Sequence, residues 1–250
     1  MKHLKALTIL TLPFMWSAYF LFELLTKRIT NISILIANIV LIIFLILIGY
    51  LFYGISLKYE NGFSINTFLK IFLTLMVLDQ GSKIIIKQLF FNDNATIIND
   101  ILYFNPIINT EGSWINARFN TGISFTILIV INLLALFLFI EIYRYYLHSN
   151  NDAKSFHEDM CFLFIFSGAL CSLIDKLFYG GSLDFIGIGN LFVADIKDIY
   201  INLGMLFFIS SIYKNGYLSS NNDSSFSDDL TNIKKFIYFI KDDLCSLIDK

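Results

Sequence analysis

Residues 29–57 read ITNISILIANIVLIIFLILIGYLFYGISL, a run of 29 amino acids without a charged side chain. A transmembrane helix needs about 20 consecutive, mostly apolar residues, so this run can cross a bilayer with some tilt. A second uncharged stretch lies between Lys5 and Glu23. No small-residue cleavage site follows it, and we therefore interpret it as a retained span and not as a removed signal peptide. Together the two segments predict an N-terminal transmembrane hairpin over residues 1–60.

The composition of the whole chain also favours a membrane protein. Apolar residues make up 56% of the 250 residues and charged residues 15%, whereas a typical soluble domain has about 25% charged residues. The net charge is −2 and no basic stripe is sustained, which excludes a nucleic-acid partner because nothing would drive counterion release. Cys161, Cys171 and Cys245 have no metal-binding or redox spacing, so we expect no disulfide, no metal and no other cofactor.

Four more helical spans follow the hairpin, and three of them carry charged residues at one end. Their expected ranges are 64–86, 119–140, 160–177 and 195–213. Asp79 lies near the end of the first of these spans, Asp175 near the end of the third, and Asp195 at the start of the fourth. The sequence therefore predicts an all-α polytopic membrane protein, in which residues 61–215 form a four-helix core beside the two N-terminal helices.

The segments that connect the helices differ in character. Residues 90–118 contain an alternating Ile-Leu-Tyr-Phe run, which predicts a small strand-bearing cap on the extracytoplasmic membrane surface. Residues 144–159 are polar, and the spacing of their histidines and acids fits no metal site, so we expect a solvated turn. Residues 216–250 predict a polar linker and then an amphipathic helix, which lies along the membrane interface or binds a partner.

Polar residues gather at one end of the predicted bundle. Because neighbouring spans run antiparallel, the C-terminal ends of the third and fifth helices share a membrane face with the N-terminal ends of the fourth and sixth. The residues at this face are Asp79, Gln80, Ser82, Lys83, Asn120, Gly122, Asp175, Lys176, Asp184 (in the turn after the fifth helix) and Asp195. Single acids here could merely cap helices in the headgroup region. An acid at the centre of a membrane helix costs about 2.5–3.5 kcal/mol, so their gathering at one face indicates a function.

Two carboxyl groups held together in a low-dielectric pocket can perform acid–base chemistry. They cannot both ionise, so one keeps a proton while the other stays charged. The charged member takes a proton from a water that attacks a peptide carbonyl, and the protonated member donates to the carbonyl oxygen and then to the leaving amine. The motifs of serine hydrolases, zinc proteases and phosphate-binding loops are absent from the sequence. Intramembrane acids also serve proton-coupled transport, although we see no inverted repeat.

Four blocks of residues, in this order, resemble the motifs of lipoprotein signal peptidase (signal peptidase II). Residues 79–83 (DQGSK) resemble D-Q-x-T/S-K, and residues 120–125 (NTGISF) resemble N-x-G-x-A/S-F. Residues 168–186 (GALCSLIDKLFYGGSLDFI) are similar to G-A-x-x-N-x-I-D-R…G…V-D-F-I. Residues 192–195 (FVAD), with Gly204 downstream, are similar to N-x-A-D…G. The order and spacing of the blocks, over residues 64–215, make the resemblance specific.

The resemblance implies an aspartyl endopeptidase of the bacterial cell membrane. Such an enzyme removes signal peptides from diacylglyceryl-modified prolipoproteins by cutting just before the lipidated Cys. Its partners are this lipid-modified substrate and membrane lipid. The resemblance does not specify an oligomeric state. The family's catalytic pair corresponds to Asp184 and Asp195. Supporting or substrate-binding roles are implied for Asp79, Gln80, Lys83, Asn120, Gly122, Asp175 and Lys176. The family's active site faces outward from the cytoplasm, and the modest excess of Lys and Arg on the N-terminal side of the spans agrees with this orientation.

The sequence departs from the family motifs at three positions. Ser172 and Phe192 stand where the family favours Asn. Lys176 stands in place of Arg and offers a point charge in place of a planar fork. These departures leave open a catalytically silent binder of lipidated peptides. The distance between the carboxyl groups of Asp184 and Asp195 distinguishes a peptidase from a silent binder. A pair that one water can bridge supports a peptidase, and a pair on opposite sides of the bundle does not.

Overall fold

A computed structural model describes residues 2–248, except 28, 30, 100, 101, 113–115, 117, 118, 120, 152, 189–191 and 216–225. The long helices are α1 (Lys2–Leu25), α2 (Ile32–Lys58), α3 (Ile65–Ile85), α4 (Phe125–Ser149), α5 (Phe156–Phe178), α6 (Ile196–Lys214) and α7 (Phe226–Ile248). A π-helical turn, Ile86–Phe90, extends α3. The strands are β1 (Ala95–Ile98), β2 (Leu102–Asn109), β3 (Ser182–Ile188) and β4 (Phe192–Ala194).

The helices confirm the prediction of a polytopic membrane protein. By length and composition, five of the described helices can cross a bilayer, namely α1, α2, α4, α5 and α6. Helix α3 has 21 residues but carries Lys70, Asp79 and Lys83. Two boundaries differ from the expected ones. Helix α4 begins at Phe125 and not at residue 119, because the side chain of Ser124 caps its first turn, and α5 begins at Phe156 and not at residue 160.

Helix α5 lies at the centre of the bundle and packs against α3, α4 and α6. Its Phe164 stacks on Phe207 of α6, with ring centroids 5.9 Å apart. Glycine lets these two helices approach closely, since a Cβ atom on Gly204 would lie 3.2 Å from the backbone nitrogen of Ile165. Small residues at such contacts are typical of membrane helices, because close backbone packing replaces the hydrophobic driving force.

The N-terminal hairpin packs into the same body. Helices α1 and α2 pack against each other, and α1 also packs along α6. At one end of the molecule Tyr19 of α1 meets Phe192 of β4, with ring centroids 5.6 Å apart. Phe52 of α2 packs edge-on against Phe207, at 5.1 Å, within the main hydrophobic core. The division of the chain into separate units at residues 60 and 215 stays a prediction.

The strands form one antiparallel sheet in the order β1-β2-β3-β4. Strands β1 and β2 confirm that the predicted cap contains strands. Strands β3 and β4 are additional to the prediction, and the expectation that Asp184 lies in a turn is wrong, since it lies in β3 opposite Ile107. The partner of β3 is some 75 positions earlier in the chain, so no local pattern announces the pairing.

The segment at residues 155–159, the last part of the predicted solvated turn, is instead buried at the start of α5, whereas residues 148–151, 153 and 154 are exposed as expected. His157, Glu158 and Asp159 are 5%, 6% and 0% exposed. Asp159 accepts hydrogen bonds from the backbone N–H of Phe63 at 2.7 Å and from the hydroxyl of Tyr143 at 2.6 Å. These bonds tie the start of α3, the end of α4 and the start of α5 together, so the segment is buried because it joins the helices at this end of the bundle.

The helix predicted for the C-terminal segment is α7, and it packs against α4. The guanidinium of Arg144 lies 2.6 Å from the carboxylate of Asp243, and the rings of Tyr145 and Phe239 are 5.3 Å apart. Ile237, with 57% of its surface exposed, lies on an apolar face of α7 that points away from α4. The predicted linker falls largely on residues 216–225, outside the described part of the chain.

Gly49 provides a test of the hairpin. A Cβ atom on Gly49 would lie 2.6 Å from the carbonyl oxygen of Ile9, whereas one on Gly54 would have no atom within 4 Å. We expect Gly49→Leu to separate α1 from α2 and to destabilise the protein by about 1–3 kcal/mol. Gly54→Leu, on the same helix, should leave stability unchanged. Thermal unfolding in detergent measures both, and equal midpoints would contradict the close packing of the two helices.

Candidate active site

The ammonium group of Lys83 lies at the centre of the candidate site. Its Nζ atom is 2.8 Å from Asp79, 2.7 Å from Asp175 and 2.7 Å from Asp195. An ammonium group has three hydrogens, so these three carboxylates satisfy it completely. All four residues have 0% of their surface exposed. Three carboxylates outnumber one ammonium group, and the second cation here is Lys197, whose Nζ atom lies 3.1 Å from Asp175 and contacts Asp195.

The helices bring these residues together as the antiparallel arrangement predicts. Asp79 and Lys83 lie one turn apart near the end of α3, Asp175 lies near the end of α5, and Asp195 is the N-cap of α6. Gln80 joins two of the helices, because its amide donates to Asp79 at 2.9 Å and to Asp175 at 3.0 Å. The predicted convergence of these three acids is confirmed.

The N-terminus of α6 fixes the carboxylate of Asp195. Its Oδ1 atom accepts from the backbone N–H of Asp198 at 3.2 Å, and the side chain of Asp198 accepts from the backbone N–H of Asp195 at 3.2 Å, which completes a capping box. Asp79 accepts from the backbone N–H of Lys197 at 2.9 Å. A helix N-terminus favours negative charge, so this position stabilises the ionised form of Asp195.

Strand β3 places Asp184 opposite Asp195. One carboxyl oxygen of each residue lies within 4.8 Å of the other. The hydroxyl of Ser182 donates to Asp184 at 2.5 Å and lies 3.4 Å from Asp195, while the amide of Asn109 donates to Asp184 at 3.0 Å. A water with two hydrogen bonds of about 2.8 Å can bridge oxygens up to about 5.6 Å apart. Asp184 and Asp195 therefore form a pair that one water can bridge.

The two members of this pair have different electrostatic surroundings. Burial raises the pKa of Asp184 above its ordinary value, and Lys197, at 3.9 Å, offsets this only in part. Burial also opposes ionisation of Asp195, but the ammonium groups of Lys197 and Lys83 outweigh it and bring the pKa of Asp195 below its ordinary value. These surroundings therefore favour the ionised form of Asp195 and disfavour the ionised form of Asp184.

The other predicted site residues lie nearby or outside the described residues. Lys176 is buried and donates to the hydroxyl of Ser172, one turn earlier on α5, at 2.6 Å. Gly122 lies in the turn before α4 with φ of 65°, a left-handed conformation that favours glycine. Asn120 lies outside the described residues.

Three polar residues of the site were not predicted from the sequence. Asn109, Ser182 and Lys197 all contact the acid pair. None of them is a position of the four motifs. Asn109 and Ser182 are register partners in the β2–β3 ladder, so only knowledge of that pairing would have revealed them. Lys197 did carry a signal, because a cation in the first turn of a helix opposes the helix dipole.

The same acids are also a possible cation site. Oxygens of Asp184, Asp195 and Asp198 all lie within 4.8 Å of one another. Lys83 and Lys197, however, already place two ammonium groups against the carboxylates of this cluster. The absence of a metal cofactor stays a prediction of the sequence.

Comparison with known proteins establishes the family. The chain matches the family described as "Signal peptidase (SPase) II" over residues 71–214, a range that contains all four motif blocks. The chain belongs to the signal peptidase II family. The matched range begins within α3, so the first two helices of this signal peptidase II lie before it.

Individual relatives agree with this assignment. Lipoprotein signal peptidase of Fusobacterium nucleatum subsp. nucleatum is 29% identical over 148 residues, 56% of this chain and 81% of that protein. The enzyme of Microcystis aeruginosa is 27% identical over 55% of this chain and 86% of its own length, and that of Staphylococcus carnosus is 28% identical over 51% and 75%. A solved bacterial membrane enzyme shares the fold, with a TM-score of 0.51 and 21% identity over 66% of this chain and 99% of that one. This signal peptidase II is accordingly a multi-pass membrane peptidase.

Lys83 provides a test of the charge cluster. Lys83→Met would leave three buried carboxylates without their common counter-ion, and breaking a buried ion pair in this way costs about 3–5 kcal/mol. We expect a large loss of stability in chemical unfolding in detergent micelles, partly restored by adding Asp79→Asn. Lys70→Met, at an exposed position of the same helix, is the matched control. A Lys83→Met protein as stable as this control would contradict the central role of the ammonium group.

Proposed function

We propose that this signal peptidase II is an aspartic endopeptidase in which Asp184 and Asp195 are the catalytic pair. The observation that carries the proposal is their placement, with oxygens within 4.8 Å and surroundings that favour opposite protonation states. A pair of titratable groups with pKa values pushed apart is the arrangement that acid–base catalysis requires. We further propose that the substrates are lipid-modified prolipoproteins, cut just before the lipidated Cys, because the relatives are lipoprotein signal peptidases.

In the proposed reaction Asp195 acts as the base and Asp184 as the acid. Asp195 accepts a proton from a water bound between the two carboxyl groups as that water attacks the scissile carbonyl carbon. Asp184 donates its hydrogen to the carbonyl oxygen, which stabilises the tetrahedral intermediate. The proton held by Asp195 then passes to the leaving amine, the C–N bond breaks, and a hydroxyl group of the intermediate returns its proton to Asp184 as the carbonyl re-forms, so the pair returns to its starting state. Every proton is accounted for without a covalent intermediate.

The remaining residues of the cluster are proposed to support this pair. Asp79 and Asp175 share the Lys83 ammonium with Asp195, and Gln80 holds the two acids in register. They fix Asp195 and set its charge without contacting the scissile bond. Roles for Asn120, Gly122 and Lys176 in holding substrate stay predictions.

The surroundings of the site suit a substrate that arrives within a membrane. Large apolar side chains are exposed at the same end of the bundle, with Phe178 74%, Leu89 69% and Ile97 61% exposed. Exposed apolar surface of this kind matches lipid and the acyl chains of a lipidated substrate. With the N-terminus in the cytoplasm, α1 ends on the outer side, α2 on the cytoplasmic side and α3 on the outer side again. Because the acids gather at the end of α3, we propose that the active site faces the extracytoplasmic side.

Substitution of either acid tests the catalytic pair. Because general acid–base catalysis contributes about 10²–10⁴-fold, Asp184→Asn and Asp195→Asn should each lower kcat/KM on a fluorescent lipidated prolipoprotein peptide by at least about 10²-fold. Asp93→Asn, at an exposed loop position at the same end of the molecule, is the control and should process normally. Full processing by both the Asp184→Asn and the Asp195→Asn variants would contradict the proposal. A wild-type protein that binds the peptide without turnover would identify a silent binder.

The pH dependence of the reaction gives a second test. Below the pKa of Asp195 the base is protonated, and above the pKa of Asp184 the acid has lost its hydrogen, so kcat/KM should follow a bell-shaped curve. Because the pKa of Asp195 is lowered and that of Asp184 is raised, the two limbs should lie on either side of the ordinary aspartate value of about 3.9. A rate that only rises with pH would contradict the assignment of roles.

A further inference from the structure

Lys197 is a buried cation in a position that disfavours positive charge. It is 5% exposed and lies in the first turn of α6, where the helix dipole disfavours positive charge. Removing an ammonium group from water also costs several kcal/mol unless partners repay it. Neither Lys197 nor its neighbour Ser182 is a position of the four motifs. The partners of Lys197 therefore indicate why the residue is there.

The partners of Lys197 are the acids of the site. Its Nζ atom is in direct contact with a carboxylate oxygen of Asp195, lies 3.1 Å from Asp175 and lies 3.9 Å from Asp184. Lys83 contacts Asp195 from the other side at 2.7 Å. Asp195 thus has two ammonium groups in ion-pair contact, while Asp184 has one at the edge of that range.

Ser182 extends this asymmetry to Asp184. Lys197 donates a hydrogen bond to the hydroxyl oxygen of Ser182, and the hydroxyl of Ser182 donates to Asp184 at 2.5 Å. A hydroxyl group has a single hydrogen, and Asp184 at 2.5 Å is a nearer acceptor for it than Asp195 at 3.4 Å. Asp184 meets a neutral donor where Asp195 meets a charged one.

A serine beside a lysine also suggests a nucleophile and its base. That chemistry needs a neutral amine on Lys197. Carboxylates of Asp175, Asp184 and Asp195 lie within 4 Å of its Nζ atom, and Asp198 follows it on the same helix turn. Opposite charges at this range favour the charged form, so Lys197 stays an ammonium group and cannot take the proton of Ser182.

We propose that Lys197 is a positioning residue that fixes the direction of proton transfer, by holding Asp195 as the carboxylate and leaving the shared proton on Asp184. This inference rests on the proposed catalytic pair. The charged groups that face Lys197 are Lys83, Asp175, Lys176, Asp184, Asp195 and Asp198. Because Lys83 remains beside Asp195 when Lys197 is removed, we expect a shifted pH profile and not a complete loss of activity.

The pH profile of kcat/KM tests the inference. An ammonium group within about 4–6 Å lowers a carboxyl pKa by about 1–3 units. Lys197→Met should therefore move the low-pH limb of the curve (the acid limb), which reports the pKa of Asp195, to higher pH by at least about 1 unit. Lys197→Gln, which can still donate to Ser182, should move this limb in the same direction. Lys197→Arg keeps the charge and should retain the wild-type limb. Lys234→Met, at an exposed position of α7, is the matched control and should leave the profile unchanged.

The outcomes separate this inference from the proposed function. An unmoved acid limb in Lys197→Met or Lys197→Gln, together with inactive Asp184→Asn and Asp195→Asn variants, would overturn the role of Lys197 and leave the catalytic pair intact. Active Asp184→Asn and Asp195→Asn variants would overturn the proposed catalytic pair itself. Ser182→Ala should retain activity within about tenfold of wild type, since a lost neutral hydrogen bond is worth about 0.5–1.5 kcal/mol. Inactivation as complete as that of Asp184→Asn would instead identify Ser182 as a nucleophile.

Discussion

The ion pairs of Lys83 are the interaction on which the site and the helix ends depend. One ammonium group joins acids from α3, α5 and α6, all of them fully buried. Buried ions are tolerated only when the partners and hydrogen bonds repay their desolvation, and here every hydrogen of the ammonium has a carboxylate acceptor. The helices can therefore meet at this end only in the arrangement that places Asp195 beside Lys83.

The two members of the proposed catalytic pair lie on different parts of the fold. Asp195 is fixed by helix packing and by the capping box of α6, whereas Asp184 is fixed by the register of β3 against β2. The N-terminal hairpin reaches the same region, because Tyr19 packs on Phe192 in the strand that leads to Asp195. Phe192, a departure from the family motif, thus has an aromatic partner supplied by a helix that precedes the family's matched range. The geometry of the pair depends on helix packing and strand pairing together.

The sequence was sufficient to predict the helices and which of their ends share a membrane face. Long uncharged runs are a local property, and consecutive membrane spans alternate in direction. The sequence therefore also predicted that Asp79, Asp175 and Asp195 meet. It did not predict β3, which pairs with β2 far away in the chain, or β4, which pairs with β3. Asp184, Asn109 and Ser182 owe their places to the β2–β3 register. The buried segment at residues 155–159 was likewise misjudged, because its acids are satisfied by groups on other helices. Contacts between distant segments therefore account for the errors at Asp184 and at residues 155–159.

We propose that Asp184 carries the proton that it shares with an ionised Asp195. Infrared difference spectroscopy of the wild-type protein and Asp184→Asn in lipid, at a pH between the two limbs of the kcat/KM profile, measures this directly, because a protonated carboxyl group has a C=O stretching band that a carboxylate lacks. We predict that the wild-type spectrum contains a deuterium-sensitive band of this type that disappears in Asp184→Asn. Identical bands in the two proteins, or none in either, would contradict the shared proton.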